Sequence, residues 1–194
     1  MVPADAGRRQ AIANYLLSRD SPGALSAALA ATSVQPRAQP TVAARRPAAP
    51  RAGGNTLVVG DSIGVGTAPH LKRLGNVTAN VVGGRSSANG IQALRSKLAG
   101  GKYATIVLDL GTNDGSSRDL VKSVREARRL APNAKIVVPL VNGPNAASKN
   151  ASLRRLGGNV RVVDVRGKPG PDGIHYSGQG YRQRANHLIA AMGR

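Results

Sequence analysis

The chain has 194 residues, a formal charge of +19, and no cysteine, tryptophan or phenylalanine. Disulfides and thiolate metal sites are therefore excluded, and no apolar run is long enough to span a bilayer. The length suits one domain with an appendage, and its core must be aliphatic, since Tyr15, Tyr103, Tyr176 and Tyr181 are the only aromatic residues.

Residues 1–31 read as one or two short helices. A partial apolar stripe (Ile12, Tyr15, Leu16, Leu17) is followed by Ser21-Pro22, an N-cap with proline at the first helical position. Arg19 and Asp20 interrupt the stretch that would have to act as a secretory leader. The default expectation is therefore a cytoplasmic protein, with envelope or virion association as the alternative. Residues 32–54 are rich in proline, alanine and arginine and read as an extended linker.

From Asn55 onward β-branched apolar runs alternate with helical segments. Strands are expected over 56–59, 77–82, 105–110, 135–141 and 160–165, and helices over 63–74, 87–98, 117–130, 146–156 and 180–192. The runs are almost continuously hydrophobic, as strands covered on both faces are. The pattern predicts a three-layer α/β/α domain over 55–194, with a five-stranded parallel sheet in the flavodoxin-like order 2-1-3-4-5 and its chemistry at the carboxyl ends of the strands.

Those ends carry small polar-and-glycine clusters: Gly60-Asp61-Ser62, Gly83-Gly84-Arg85-Ser86 and Gly111-Thr112-Asn113-Asp114. A fourth, Pro171-Asp172-Gly173-Ile174-His175, follows strand five. Ser62 sits at a helix start, where unpaired N–H groups favour negative charge. It is the candidate nucleophile, His175 the candidate base, and Asp172 the group that orients the imidazole. The N–H groups of Ser62 and Gly84 and the Asn113 amide would form an oxyanion hole. Each part also has an ordinary explanation: a helix cap for Ser62 or Asn113, a tight turn for Gly84, a Pro-Asp-Gly turn for Asp172, a surface position for His175. Their joint occurrence in strand order favours chemistry. His70, inside the first helix and expected to point away from the rim, and His187, in the last helix with no acidic neighbour, make poor rivals.

Gly60-Asp61-Ser62, Gly84, Gly111-Thr112-Asn113-Asp114 and Asp172-x-x-His175 resemble the four sequence blocks of the SGNH (GDSL-type) hydrolases, over residues 55–194 only. The resemblance implies a flavodoxin-like fold and ester hydrolysis or acyl transfer through Ser62, with an oxyanion hole of Ser62, Gly84 and Asn113. Because block two reads Gly-Gly-Arg, Gly83 is an alternative to Gly84. Gly84-Arg85-Ser86 and the compact tail DGIHYSGQGY look most like small SGNH domains acting on O-acetyl groups of cell-wall glycans. Short loops predict a shallow, open site for a short acyl group on an acylated small molecule or glycan. The chemistry needs no metal or organic cofactor.

Two rival classes stay open. One is a flavodoxin-like binding module without catalysis, since glycine clusters also cradle phosphates; it lacks GxGxxG or GxxxxGK spacing and has no use for Asp172 and His175. The other is a basic accessory protein docking to nucleic acid, a virion or the cell envelope. The charge fits an anionic polymer. However, single-strand binders interleave cations with stacking aromatics, which are scarce here, so a solvated arginine-rich surface is the favoured reading of the charge.

Overall fold

Strands β1 (Thr56–Gly60), β2 (Val77–Val81), β3 (Thr105–Asp109), β4 (Lys135–Pro139) and β5 (Val160–Val163) pair in parallel, in the order β2-β1-β3-β4-β5. The computed structural model describes residues 54–193 apart from 166 and 169. The helical segment expected over 1–31 and, Gly54 aside, the linker expected over 32–54 lie outside the described residues. Helices α1 (Ser62–Leu71), α2 (Ser87–Ala99), α3 (Ser117–Leu130), α4 (Ala146–Arg154) and α5 (Gly178–Met192) complete the domain, with a 3₁₀ turn at Lys72–Leu74 extending α1. No helix among the described residues is long and apolar enough to cross a membrane.

Successive residues of a strand point to opposite faces, and the two cores follow that parity. Leu57 and Val59 of β1, with Ile106 and Leu108 of β3 and Ile136 and Val138 of β4, pack against Ile91, Leu94, Leu120, Val124 and Leu153 of α2, α3 and α4. Val58, Val107 and Val137 face the other way, onto Leu71 of α1 and Ala185, Leu188 and Met192 of α5. The result is the three-layer arrangement that the alternation predicts. α1 and α5 approach closely at Gly66, where a Cβ would stand 2.3 Å from the Tyr181 ring.

Element ends differ from the hydrophobic runs for identifiable reasons. Leu110, Leu140, Val141 and Val165 are buried but lie past the ladders, because apolarity reports burial and not pairing. Val82 leaves β2 and is 52% exposed. α1 begins at Ser62 and not at Ile63, because Asp61 caps it by accepting from the Ile63 N–H. α5 begins at Gly178 and not at Gly180, because the Ser177 hydroxyl accepts from the Gly180 N–H. α4 stops at Arg154, and Leu156 closes a short turn onto the Leu153 carbonyl.

The polar anchor of this frame is Arg184 of α5, 2% exposed, which donates to Asp109 Oδ1 at the end of β3 at 2.5 Å. Its guanidinium also lies 5.3 Å from the Tyr176 ring centroid, and Tyr176 meets Tyr181 edge-on at 5.6 Å. A buried pair of this kind is costly to break from one side, because the surviving charge is left desolvated. Arg184→Ala is expected to lower the unfolding free energy by about 3–5 kcal/mol, measured by urea titration. A loss of less than about 1 kcal/mol would show that Asp109 finds another partner, as an exposed carboxylate does.

Candidate active site

The site is built at the edge where β1, β2 and β3 end level, Gly60 lying opposite Val81 on one side and Asp109 on the other. The chain turns out of β1 at Asp61, whose N–H donates to the Asp109 carbonyl at 3.0 Å. Ser62 follows as the first residue of α1. Its N–H is among the amides that have no acceptor inside the helix.

His175 reaches Ser62 from the far end of the domain, 113 residues away in sequence, with Nε2 2.9 Å from Ser62 Oγ. Its Nδ1 is 2.6 Å from Asp172 Oδ2. The other carboxylate oxygen of Asp172 accepts from the backbone N–H groups of Ile174 and His175, at 3.0 and 2.9 Å. These bonds form the local loop in which aspartate commonly closes on its own backbone. An ionised Asp172 requires hydrogen on Nδ1, which leaves Nε2 free to accept the Ser62 proton. The hydrogen bond from His175, then those from the Ile174 and His175 amides, hold Asp172 down at about 2. The His175 and Asp172 side chains are 43% and 50% exposed, so the pair lies on an open surface and not in an enclosed cavity.

The expected oxyanion donors lie on the neighbouring loops. Gly84 has φ +72°, a conformation that favours glycine, and a Cβ on either Gly83 or Gly84 would meet open space. Asn113 is exposed, and its side-chain amide donates to the Arg85 carbonyl at 3.1 Å. Because the amide nitrogen carries two hydrogens, one is left for another acceptor. The Asn113 loop is pinned from two sides. Asp114 accepts from the N–H of Ser87 at 2.7 Å and from its hydroxyl at 2.5 Å, and the buried Lys149 ammonium donates to the Gly111 carbonyl at 2.8 Å.

Lys149 and Arg184 carry none of the expected chemistry, and neither belongs to a glycine cluster or a motif. The signal that finds them is a cation on an apolar helical stripe: Lys149 lies four residues before Leu153, and Arg184 four before Leu188. His70 is half-buried near the end of α1, its pKa lowered first by burial and then by Arg73 and Arg182. His187 is exposed on α5. Among the described residues no cluster of three or more His, Asp or Glu side chains is placed to hold a metal ion.

No protein-family model matches the chain, and neither does any curated protein. Solved structures do. A GDSL-like lipase from Bacteroides thetaiotaomicron is 16% identical with a TM-score of 0.61, covering 72% of this chain and 87% of its own. The C-terminal catalytic domain of peptidoglycan O-acetyltransferase A from Streptococcus pneumoniae, carrying a methylsulfonyl adduct, is 14% identical with a TM-score of 0.61 and coverages of 72% and 92%. A carbohydrate esterase family 2 enzyme from Corynascus thermopiles (Myceliophthora fergusii) is 17% identical with a TM-score of 0.56 and coverages of 76% and 68%. At these identities the likeness shows the fold.

Asp61 is the electrostatic exception beside the nucleophile. It is 1% exposed, and Oδ2 is buried without a hydrogen-bond partner. Burial first, then the nearby Asp109, raise it to about 6, against the opposing effect of the Ile63 N–H and of Thr112 beside it. A raised carboxylate binds its proton more tightly in the folded state, so its contribution to stability falls as pH rises from about 4 through about 6. At roughly 1.4 kcal/mol per unit, the loss is on the order of 3 kcal/mol. Asp61→Asn keeps a cap acceptor and removes the charge. Its unfolding free energy relative to wild type should therefore rise by that order between pH 4 and pH 7 in urea titrations. A difference independent of pH would show that Asp61 ionises like an exposed carboxylate.

Proposed function

We propose that the chain is a serine ester hydrolase of the SGNH type, removing short acyl groups, acetyl foremost, from a carbohydrate or another carrier. The observation that carries this reading is the relay Ser62 Oγ to His175 Nε2 to Asp172, at 2.9 and 2.6 Å. A phosphate-binding module has no need of it. In the proposed reaction His175 Nε2 takes the Ser62 proton as Oγ attacks the acyl carbonyl. The carbonyl oxygen, now negative, is stabilised by the Ser62 and Gly84 N–H groups and the Asn113 amide. The carbon–oxygen bond to the alcohol breaks, and the alcohol leaves with the proton from His175. Water, deprotonated by His175, then attacks the acyl carbon, the bond to Ser62 Oγ breaks, His175 returns the proton to Oγ, and the carboxylic acid leaves.

Two further features support a short acyl group on a larger carrier. The His175–Asp172 pair is half exposed, which leaves room for a bulky alcohol. Val65, three residues after Ser62, and Val82, two residues before Gly84, are large apolar side chains exposed at 46% and 52%, and in the proposed reaction they would be the apolar contacts available to a small acyl chain. The names of the structural neighbours, among them a carbohydrate esterase and a peptidoglycan O-acetyltransferase, point to the same class of ester.

Wild-type protein is expected to hydrolyse 4-nitrophenyl acetate and to label at Ser62 with a fluorophosphonate. Ser62→Ala and His175→Ala should each lower kcat by about 10⁴-fold or more, with the fold retained by circular dichroism. Full activity in Ser62→Ala would remove Ser62 as nucleophile, and absence of labelling would return the chain to the binding-module reading. Asn113→Ala is expected to cost about 10²–10³-fold in kcat with little change in KM, the signature of a lost oxyanion donor.

A further inference from the structure

Gly83 and Gly84 have no side chains with which to hold their loop, and a Cβ on either would touch nothing. The loop is held instead by the residue that follows. The Arg85 side chain folds back, its Nη1 donating to the Asn80 carbonyl at 2.7 Å and to the Gly60 carbonyl at 3.3 Å. Nη2 donates to Asn80 Oδ1 at 2.8 Å. The backbone carbonyl of Arg85 accepts the Asn113 side-chain amide at 3.1 Å. One residue thus touches the end of β1, two positions before Ser62, the end of β2, and the third loop of the site.

We propose that Arg85 is a positioning residue for the oxyanion hole, a guanidinium clamp that fixes the Gly84 N–H and the plane of the Asn113 amide relative to Ser62. This rests on the esterase reading above. The physical case is geometric. An amide is planar, so engaging one of its hydrogens with the Arg85 carbonyl fixes the direction of the other. That carbonyl is in turn fixed because the side chain of the same residue grips two strands. Three acceptors on two strand ends suit a rigid fork of donors and not the point charge of an ammonium group. Partial burial lowers the Arg85 pKa, and the nearby Asp61 carboxylate opposes that effect.

The test is kinetic and spectroscopic. Arg85→Lys and Arg85→Ala are each expected to lower kcat for 4-nitrophenyl acetate by about 10- to 100-fold, the range that a displacement of the order of 1 Å produces, with KM changed less than about 2-fold. Lysine should not rescue, since it restores charge without the fork. In an Asn113→Ala background the cost of Arg85→Ala should shrink, because part of the effect is routed through the missing amide. Independently of activity, the Asn113 side-chain amide protons should exchange with solvent faster in either Arg85 variant than in wild type, as read by ¹⁵N NMR. Unchanged kcat and amide exchange in a folded Arg85→Lys protein would overturn the proposal, as would full additivity with Asn113→Ala. A wild-type protein inactive on every ester, with the amide signature intact, would instead remove the esterase reading and leave the clamp standing. Should Arg85→Ala fail to fold, Arg85→Lys alone decides.

Discussion

In a sheet whose strands all run the same way, every strand-to-helix turn emerges at the same edge. The geometry of the candidate site depends on that constraint. It brings Gly60-Asp61-Ser62, the Gly83-Gly84 turn and the Gly111-to-Asp114 turn side by side without any long loop, and it leaves the last turn, around His175, to close over them. The register is what makes the alignment fine enough, because Gly60, Val81 and Asp109 sit level across three strands. A slip of one residue in any of these ladders would also turn that strand's core side chains onto the opposite helical layer. The packing that gives stability is thus also what aligns the turns.

Charge is distributed with a similar economy. Of the few acids in the chain, Asp61 and Asp109 lie buried under the rim, with Arg184 answering Asp109 and Arg85 standing beside Asp61. Asp114 ties two turns together through Ser87, and Asp172 is the exposed one that faces an imidazole. Burial therefore divides the acids. The covered ones brace the turns, and the exposed Asp172 holds the His175 ring through Nδ1.

Most of the architecture was legible from apolar periodicity, because the central strands are covered on both faces and α3 shows a clear inner stripe. The α3 limits, 117 to 130, could be read directly, since Ser116 caps the start. Strand ends could not, because Leu110, Leu140 and Val141 are buried without belonging to a ladder. The residues placed around Ser62 were legible because chemistry restricts which side chains can occupy such turns. Their supports were not. Lys149 and Arg184 bind a carbonyl and a carboxylate distant in sequence, Arg85 folds back onto Asn80 and Gly60, and a lone cation in a helix or turn looks in sequence like any solvated one. Gly83 and Gly84 show the same limit in the backbone. Both are open, and only the dihedral angle at Gly84 marks it as the residue in the left-handed region.

The turn from Pro171 to His175 is complete in itself: a carboxylate, the imidazole it orients and the two amides that hold the carboxylate all fall within four consecutive residues. Bringing the imidazole to the hydroxyl therefore requires one tertiary contact, the meeting of this turn with Ser62. The chain just before the turn is tied to it, since the Gly170 N–H donates to the His175 carbonyl at 2.6 Å, so an insertion has to fall outside that contact to leave the Asp172–His175 pair undisturbed.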